Sequence, residues 1–227
     1  MLYTPTMDTL SDEEKVSLNK NFYNLVAKDF SDTRNKHYWD LFDLVFKQND
    51  KEVLEMDDNF VFIQGNLNQD FNGRDKLRVL DIGCGNGRFA KFLSGRHNLR
   101  VEYLGIDNSE NLIELAKENL KDTKDVKAIF DECDITNIPL LKEKLSNEQF
   151  DLIVCIATLH HIPRKETRSE IVEVLKEHLR ADGKMLITTW NFLKNNSHLI
   201  VDKLSDDEYI LSWKNIEKRY LSFVDSI

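Results

Sequence analysis

Three alternating glycines at the exit of an apolar run constrain this chain more than any other feature. Val79-Leu80-Asp81-Ile82 leads into Gly83-Cys84-Gly85-Asn86-Gly87, and a helical pattern begins at Arg88. A strand that turns this sharply into a helix needs residues that tolerate positive φ, which glycine does without steric cost. The same turn lets a ligand approach the backbone closely, at the start of a helix. The spacing is GxGxG, not the GxGxxG of dinucleotide sites, and Asp81 stands two residues before the first glycine. A carboxylate there disfavours a pyrophosphate and favours a ligand that carries an amine or another cation.

Downstream, strand and helix patterns alternate. Arg78–Ile82, Val101–Ile106, Val126–Phe130, Phe150–Cys155 and Lys184–Trp190 read as strands. Arg88–Ser94, Asn111–Leu120 and Arg164–Leu179 read as helices, the last stopped by Gly183. The strands are nearly continuous in apolar residues, so both sheet faces are covered. The predicted class is α/β: a doubly wound, mostly parallel sheet. Asp107 and Asp134 follow the second and third strands. With Asp81 they put three carboxylates along one crevice at the carboxyl edge of the sheet, where such folds bind ligands.

The flanks are less regular. Residues 1–17 are polar and acidic and predict a flexible lead-in to one domain over 18–227. Two helices are expected within 18–50, from Phe22, Leu25, Val26 and Phe30 and then Tyr38, Leu41, Phe42, Val45 and Phe46, with a break at Ser31-Asp32-Thr33-Arg34. The cofactor-binding core is placed at 78–190. The tail, 191–227, predicts a hairpin or a loop-rich flap.

Composition narrows the classes. The formal net charge is −9, which argues against broad non-specific nucleic-acid binding but not against a local basic patch. Cys84, Cys133 and Cys155 are widely spaced and form no CxxC pair, so no metal site or disulfide framework is expected. No apolar stretch has the length of a membrane span and no secretory signal is readable, so the expected compartment is the cytoplasm.

The glycine turn, Asp107, Asp134, Phe150-Asp151-Leu152-Ile153-Val154 and the turn at Gly183, in that order, resemble the class I S-adenosylmethionine-dependent methyltransferases. The resemblance implies that Asp81 lies near the methionine amino group. It implies that Gly83, Gly85 and Gly87 line the cofactor, that Asp107 holds the ribose, that Asn108, Asp134 and Ile135 border the adenine, and that Ile156 is a further cofactor-binding residue.

The acceptor is suggested by other segments. Tyr23-Asn24, Ala27, Phe30-Ser31 and Thr33-Arg34, then Trp39, His160-His161, Thr189-Trp190 and Arg219-Tyr220, are similar to the tRNA methyltransferases that esterify 5-carboxymethyluridine at the wobble position. Eukaryotic members of that family pair with a small zinc-binding activator. A carboxylate acceptor needs no general base, only a group that orients it. Arg34 is the first candidate for that role and His160 and His161 the second; with a phenol, hydroxyl or amine acceptor, one histidine would serve as base. Trp39 and Trp190 either stack on a base or pack. Arg164, Lys165, Arg168, Lys214, Lys218 and Arg219 form either a phosphate-binding rim or solvated faces. The family continues after its Arg-Tyr segment into a helix and two last strands. Here Leu221-Ser222-Phe223 follows Tyr220, so the sheet is expected to lack its C-terminal strands unless segments near Ile200 and Ile210 supply them. The alternatives are a small-molecule acceptor and a non-catalytic cofactor-binding subunit.

Overall fold

The computed structural model describes residues 10–33, 53–56, 59–64, 76–94, 100–214 and 217–226. Helix α1 spans Asp12–Thr33. It begins within the expected flexible lead-in because Ser11 and Glu14 form a capping box. The Glu14 side chain accepts from the Ser11 N–H at 2.7 Å, and the Ser11 hydroxyl from the Glu14 N–H at 3.2 Å. The helix also runs through Ser31-Asp32-Thr33, where a break was expected. Arg34, Trp39 and the expected second helix lie outside the described residues.

Strands β1 (Val53–Met56) and β2 (Asn59–Gln64) come next, then β3 (Lys76–Ile82) and α2 (Arg88–Leu93). β4 (Arg100–Asp107), α3 (Glu110–Leu120), β5 (Val126–Glu132) and α4 (Ile138–Leu145) follow. β6 (Phe150–Ile156), a 3-10 turn at Leu159–His161, α5 (Lys165–Glu177) and β7 (Leu179–Trp190) complete the core. The sheet order is β1-β2-β7-β6-β3-β4-β5. Strands β3 to β7 are parallel, while β2 is antiparallel to both β7 and β1.

The seven-stranded sheet is therefore complete, but not as expected. The places expected to need C-terminal strands are taken by β1 and β2, which precede the core in sequence. The tail instead folds into a separate antiparallel sheet of β8 (Ile200–Lys203), β9 (Glu208–Trp213) and β10 (Glu217–Ser222), in the order β10-β9-β8. Two further corrections are local. Helix α5 ends before Gly183, which lies within β7. The stop is His178, whose ring nitrogens contact the Val174 carbonyl at 2.7 Å and the Ser146 carbonyl at 3.1 Å. Helix α4 had no sequence expectation; Asn137 caps it through the Leu140 N–H, and Pro139 occupies its first turn.

The period-two alternation of the strands builds two cores. Leu77, Val79, Leu152 and Val154 point to one face with Phe89, Ala90, Ile113 and Ala116 from α2 and α3. Leu80, Ile82, Ile153 and Cys155 point to the other with Leu141, Leu145, Ile171 and Leu175 from α4 and α5. Asp81 falls on the first face, beside Tyr103. At the amino end of the strands, Asp151 is 1 % exposed and accepts from the Arg78 N–H and the Arg180 guanidinium, both at 2.8 Å. Its role is structural. Asp151→Ala is expected to lower stability by about 2–3 kcal/mol in a urea titration, by leaving a buried donor unpaired, with S-adenosylmethionine affinity unchanged.

Candidate active site

A cavity of about 530 Å³ opens at the carboxyl edge of the parallel strands. That volume suits a cofactor-sized ligand. Sheet order arranges its wall: Asp107 ends β4, Asp134 follows β5, Asp81 lies in β3 at the centre of the parallel strands, and His160 and Trp190 follow β6 and end β7.

The glycine turn is tied to the end of β4. The N–H groups of Gly83 and Cys84 both donate to the Ile106 carbonyl, at 2.7 and 3.0 Å, and the Gly85 N–H donates to Asp107 Oδ2 at 2.8 Å. The three glycines have φ of 72°, 53° and 74°. They do different things. A Cβ at Gly83 would sit 2.0 Å from Thr158 Oγ1, so this glycine lets β3 meet the loop after β6. A Cβ at Gly85 would meet nothing within 4 Å; this is the open cradle. Gly87, expected to line the cofactor, instead faces Leu120, Ala116 and Phe130 and admits the close packing of α3.

Asp81 is 2 % exposed. Tyr103 donates to its Oδ2, and Oδ1 has no hydrogen-bond partner. Burial pushes its pKa up to about 7; the Tyr103 hydrogen bond opposes the rise and the charge of Asp107 adds to it. An orphaned, buried carboxylate oxygen at a cavity wall is a seat for a cation. Asp107 also takes a raised pKa from burial, opposed by backbone amides that include Ser109 and Gly85. Asn108, Asp134, Ile135 and Ile156 line the same cavity. Asp134 Oδ1 is held by the Thr136 N–H and hydroxyl at 2.9 and 2.7 Å.

Helix α1 closes the wall, which sequence reasoning missed. Asn24 accepts from the Ser109 hydroxyl at 2.7 Å, Ser31 from the Asn86 side chain at 2.7 Å, and Glu132 from Lys20 at 2.7 Å. Asn19 and Tyr23 face His161. The Tyr23 hydroxyl lies 2.8 Å from His161 Nε2, and the Tyr220 carbonyl lies 3.3 Å from Nδ1. A network in which Nδ1–H donates to that carbonyl and Tyr23 donates to Nε2 satisfies both nitrogens. Arg219 then donates to the Tyr23 oxygen at 3.1 Å. Burial pushes the His161 pKa down to about 3, and the Arg219 charge adds to that. His160, 2 % exposed, accepts from the Trp190 N–H at Nδ1, at 3.1 Å. In its neutral form the proton is therefore on Nε2.

Of the six residues read as either a basic rim or solvated faces, Lys165 and Lys218 are exposed. Arg168 and Arg219 are buried, Arg164 pairs with Asp12 and Glu166, and Lys214 with Asp29. Among the described residues there is no group of three or more His, Cys, Asp or Glu side chains able to hold a metal. No helix there is long and apolar enough to cross a membrane.

A doubly wound sheet whose first βα turn is an open glycine cradle, with a buried acid at a cation seat and a second acid after the next strand, defines an adenosyl-cofactor protein of the class I methyltransferase type. The chain belongs to the methyltransferase-domain family, whose profile matches residues 74–224. It carries a methyltransferase domain of the S-adenosylmethionine-dependent class. Over 134 residues it is 27% identical to the tRNA (carboxymethyluridine(34)-5-O)-methyltransferase of Saccharomyces cerevisiae, covering 59% of this chain and 43% of that protein. Over 120 residues it is 28% identical to the human probable tRNA methyltransferase 9B, covering 53% and 23%. It is 29% identical over 127 residues to the ubiquinone biosynthesis O-methyltransferase of Glaesserella parasuis, covering 55% and 50%. The chain thus spans half or less of each of these relatives. Among solved structures, a DhpI–SAM–HEP complex shares the fold with a TM-score of 0.57 at 15% identity, covering 95% of this chain and 84% of that one.

Proposed function

We propose that this methyltransferase esterifies a carboxylate, that of 5-carboxymethyluridine at the tRNA wobble position. The observation that carries the reading is the commitment of both histidines. His161 is bonded at each nitrogen and holds a proton poorly; His160 presents its basic nitrogen to a backbone N–H. Neither is placed to take a proton, which suits an acceptor that has none to lose. When bound, S-adenosylmethionine supplies a methyl group, whose transfer to a carboxylate oxygen leaves a methyl ester and a neutral thioether. Asp81 would hold its ammonium, Gly85 would admit its backbone-facing edge, and Asp107 would accept from its ribose hydroxyls. Likeness to the yeast and human tRNA enzymes supports the choice of tRNA. A small activator subunit, known for the eukaryotic family, would find at β5 a strand that ends the sheet among the described residues, where Ile129 is 60 % exposed.

Purified protein, labelled S-adenosylmethionine and saponified total tRNA are expected to give a base-labile label on tRNA, with or without an added activator. No label in either condition would sink the reading. A second reading is a small carboxylic acid as acceptor. The ion pairing of Arg164 and Lys214 and the net charge of −9 favour it. It predicts base-labile label in a small-molecule extract and none on tRNA.

A further inference from the structure

Two arginines of the tail and its surroundings are buried, and they are treated differently. Arg168 donates through Nη1 to the Ile162 and Pro163 carbonyls at 2.7 and 3.1 Å and to the Ser222 hydroxyl at 3.2 Å. Among the described residues Arg219, 3 % exposed, donates only to the Tyr23 hydroxyl, and its buried Nε has no partner. No carboxylate of the described residues forms an ion pair with it. Asp29, next to the Trp213 ring, is taken by Trp213 Nε1 at 3.0 Å and by Lys214 at 2.6 Å.

Three aromatic rings surround the Arg219 guanidinium. Its carbon lies 5.4 Å from the Phe22 centroid, 5.2 Å from Trp190 and 5.6 Å from Trp213. Ring faces stabilise a cation, but they give its N–H groups no acceptor. A buried charge without a counter-charge is costly, and the chain keeps this one at the cavity wall. It lies with His161 and Trp190, on the β6–β7 side and away from Asp107 and Asp134.

We infer that Arg219 is the anchor of the acceptor's carboxylate. Nε–H and Nη2–H meet the two oxygens in the two-point geometry that a guanidinium offers. The rings exclude water and hold the guanidinium flat, and Tyr23 fixes its remaining edge. This inference rests on the reading of the acceptor as a carboxylate. It adds a consequence: methylation removes the charge that Arg219 holds, so the site favours the acid over the ester and releases its product.

The test is a binding measurement on protein saturated with S-adenosylhomocysteine. The probes are 5-carboxymethyluridine nucleoside, its methyl ester and uridine 5′-phosphate, followed by calorimetry and by Trp190 and Trp213 fluorescence. The acid is expected to bind about tenfold or more tightly than the ester, with Arg219→Gln bringing the two level and Arg219→Lys keeping part of the preference. Equal binding of acid and ester by the wild type overturns the inference, as does a preference that survives Arg219→Gln. A site that takes the phosphate in place of the acid overturns it too. Should Arg219→Gln fail to fold, the wild-type ratio and the Lys variant still decide. Base-labile label on tRNA without acid preference removes the anchor and leaves the wobble reading. Acid preference without label on tRNA does the reverse.

Discussion

Replacing Asp81 by Asn is expected to stabilise the free protein at neutral pH and to weaken its hold on S-adenosylmethionine, two effects of opposite sign from one buried oxygen. The Asp81 pKa rises from 3.8 to about 7 on folding, because burial disfavours the carboxylate. Between those values the native state keeps a proton that the unfolded chain has lost. Stability of the free protein therefore falls as pH rises from about 4 to about 7, by an amount of order 4 kcal/mol. The Asn variant should lose that slope, which urea titrations at a series of pH values measure. Cofactor binding follows the opposite logic. An ammonium at Oδ1 needs the charged carboxylate, so wild-type affinity should rise with pH and level off above about 7. Asn keeps a carbonyl but not the charge, and a roughly ten- to hundredfold loss is expected. Calorimetric titration between pH 6 and 8 compares the two, and equal affinities would mean that Asp81 does not meet the cofactor's amine.

The second large effect separates two glycines of the same turn. Gly83→Ala puts a methyl group 2.0 Å from Thr158 Oγ1 and 2.6 Å from its Cγ2. Thr158 cannot swing aside freely, since its hydroxyl is bonded to the Ile82 and Ile156 carbonyls at 3.2 and 3.1 Å. Overpacking and the left-handed backbone together should cost about 3–4 kcal/mol, with part recovered on adding Thr158→Ala. Gly85→Ala meets no atom, so the protein should fold with a cost of about 1 kcal/mol from its φ. Its methyl group projects into the cradle, and cofactor affinity should drop by about tenfold or more. If instead Gly85→Ala binds normally, the cofactor does not approach the turn there.

The parallel core and its acids were legible because their signals are local. Period-two apolar runs, a glycine cluster and an acid after each strand occupy short windows, and Asp81, Asp107 and Asp134 do line one cavity. Gly87 was misread because spacing alone does not say which way a glycine faces; its neighbours Leu120 and Phe130 lie a strand and a helix away. The completion of the sheet by β1 and β2 was invisible for a related reason. Val61-Phe62-Ile63 reads as a short apolar run, but nothing in it specifies pairing with Leu186 to Thr188. Asn19 and Tyr23 became site residues only when α1 met His161. The start of that helix was missed as well: residues 1–17 read as a flexible lead-in, and the Ser11–Glu14 capping box within them was passed over.

The two halves of the cavity differ in how far along the chain they reach. Gly85 and Asp107, or Asp81 and Tyr103, are 22 residues apart. On the other side Asn19 meets His161 across 142 residues, Tyr23 meets Arg219 across 196, and Asn19 holds the Tyr220 N–H across 201. Closing a loop of that length costs about 2 kcal/mol more in chain entropy than closing the shorter one. The half proposed to grip the methyl donor is therefore the entropically inexpensive one, and the half proposed to face the acceptor is tied together across almost the whole chain.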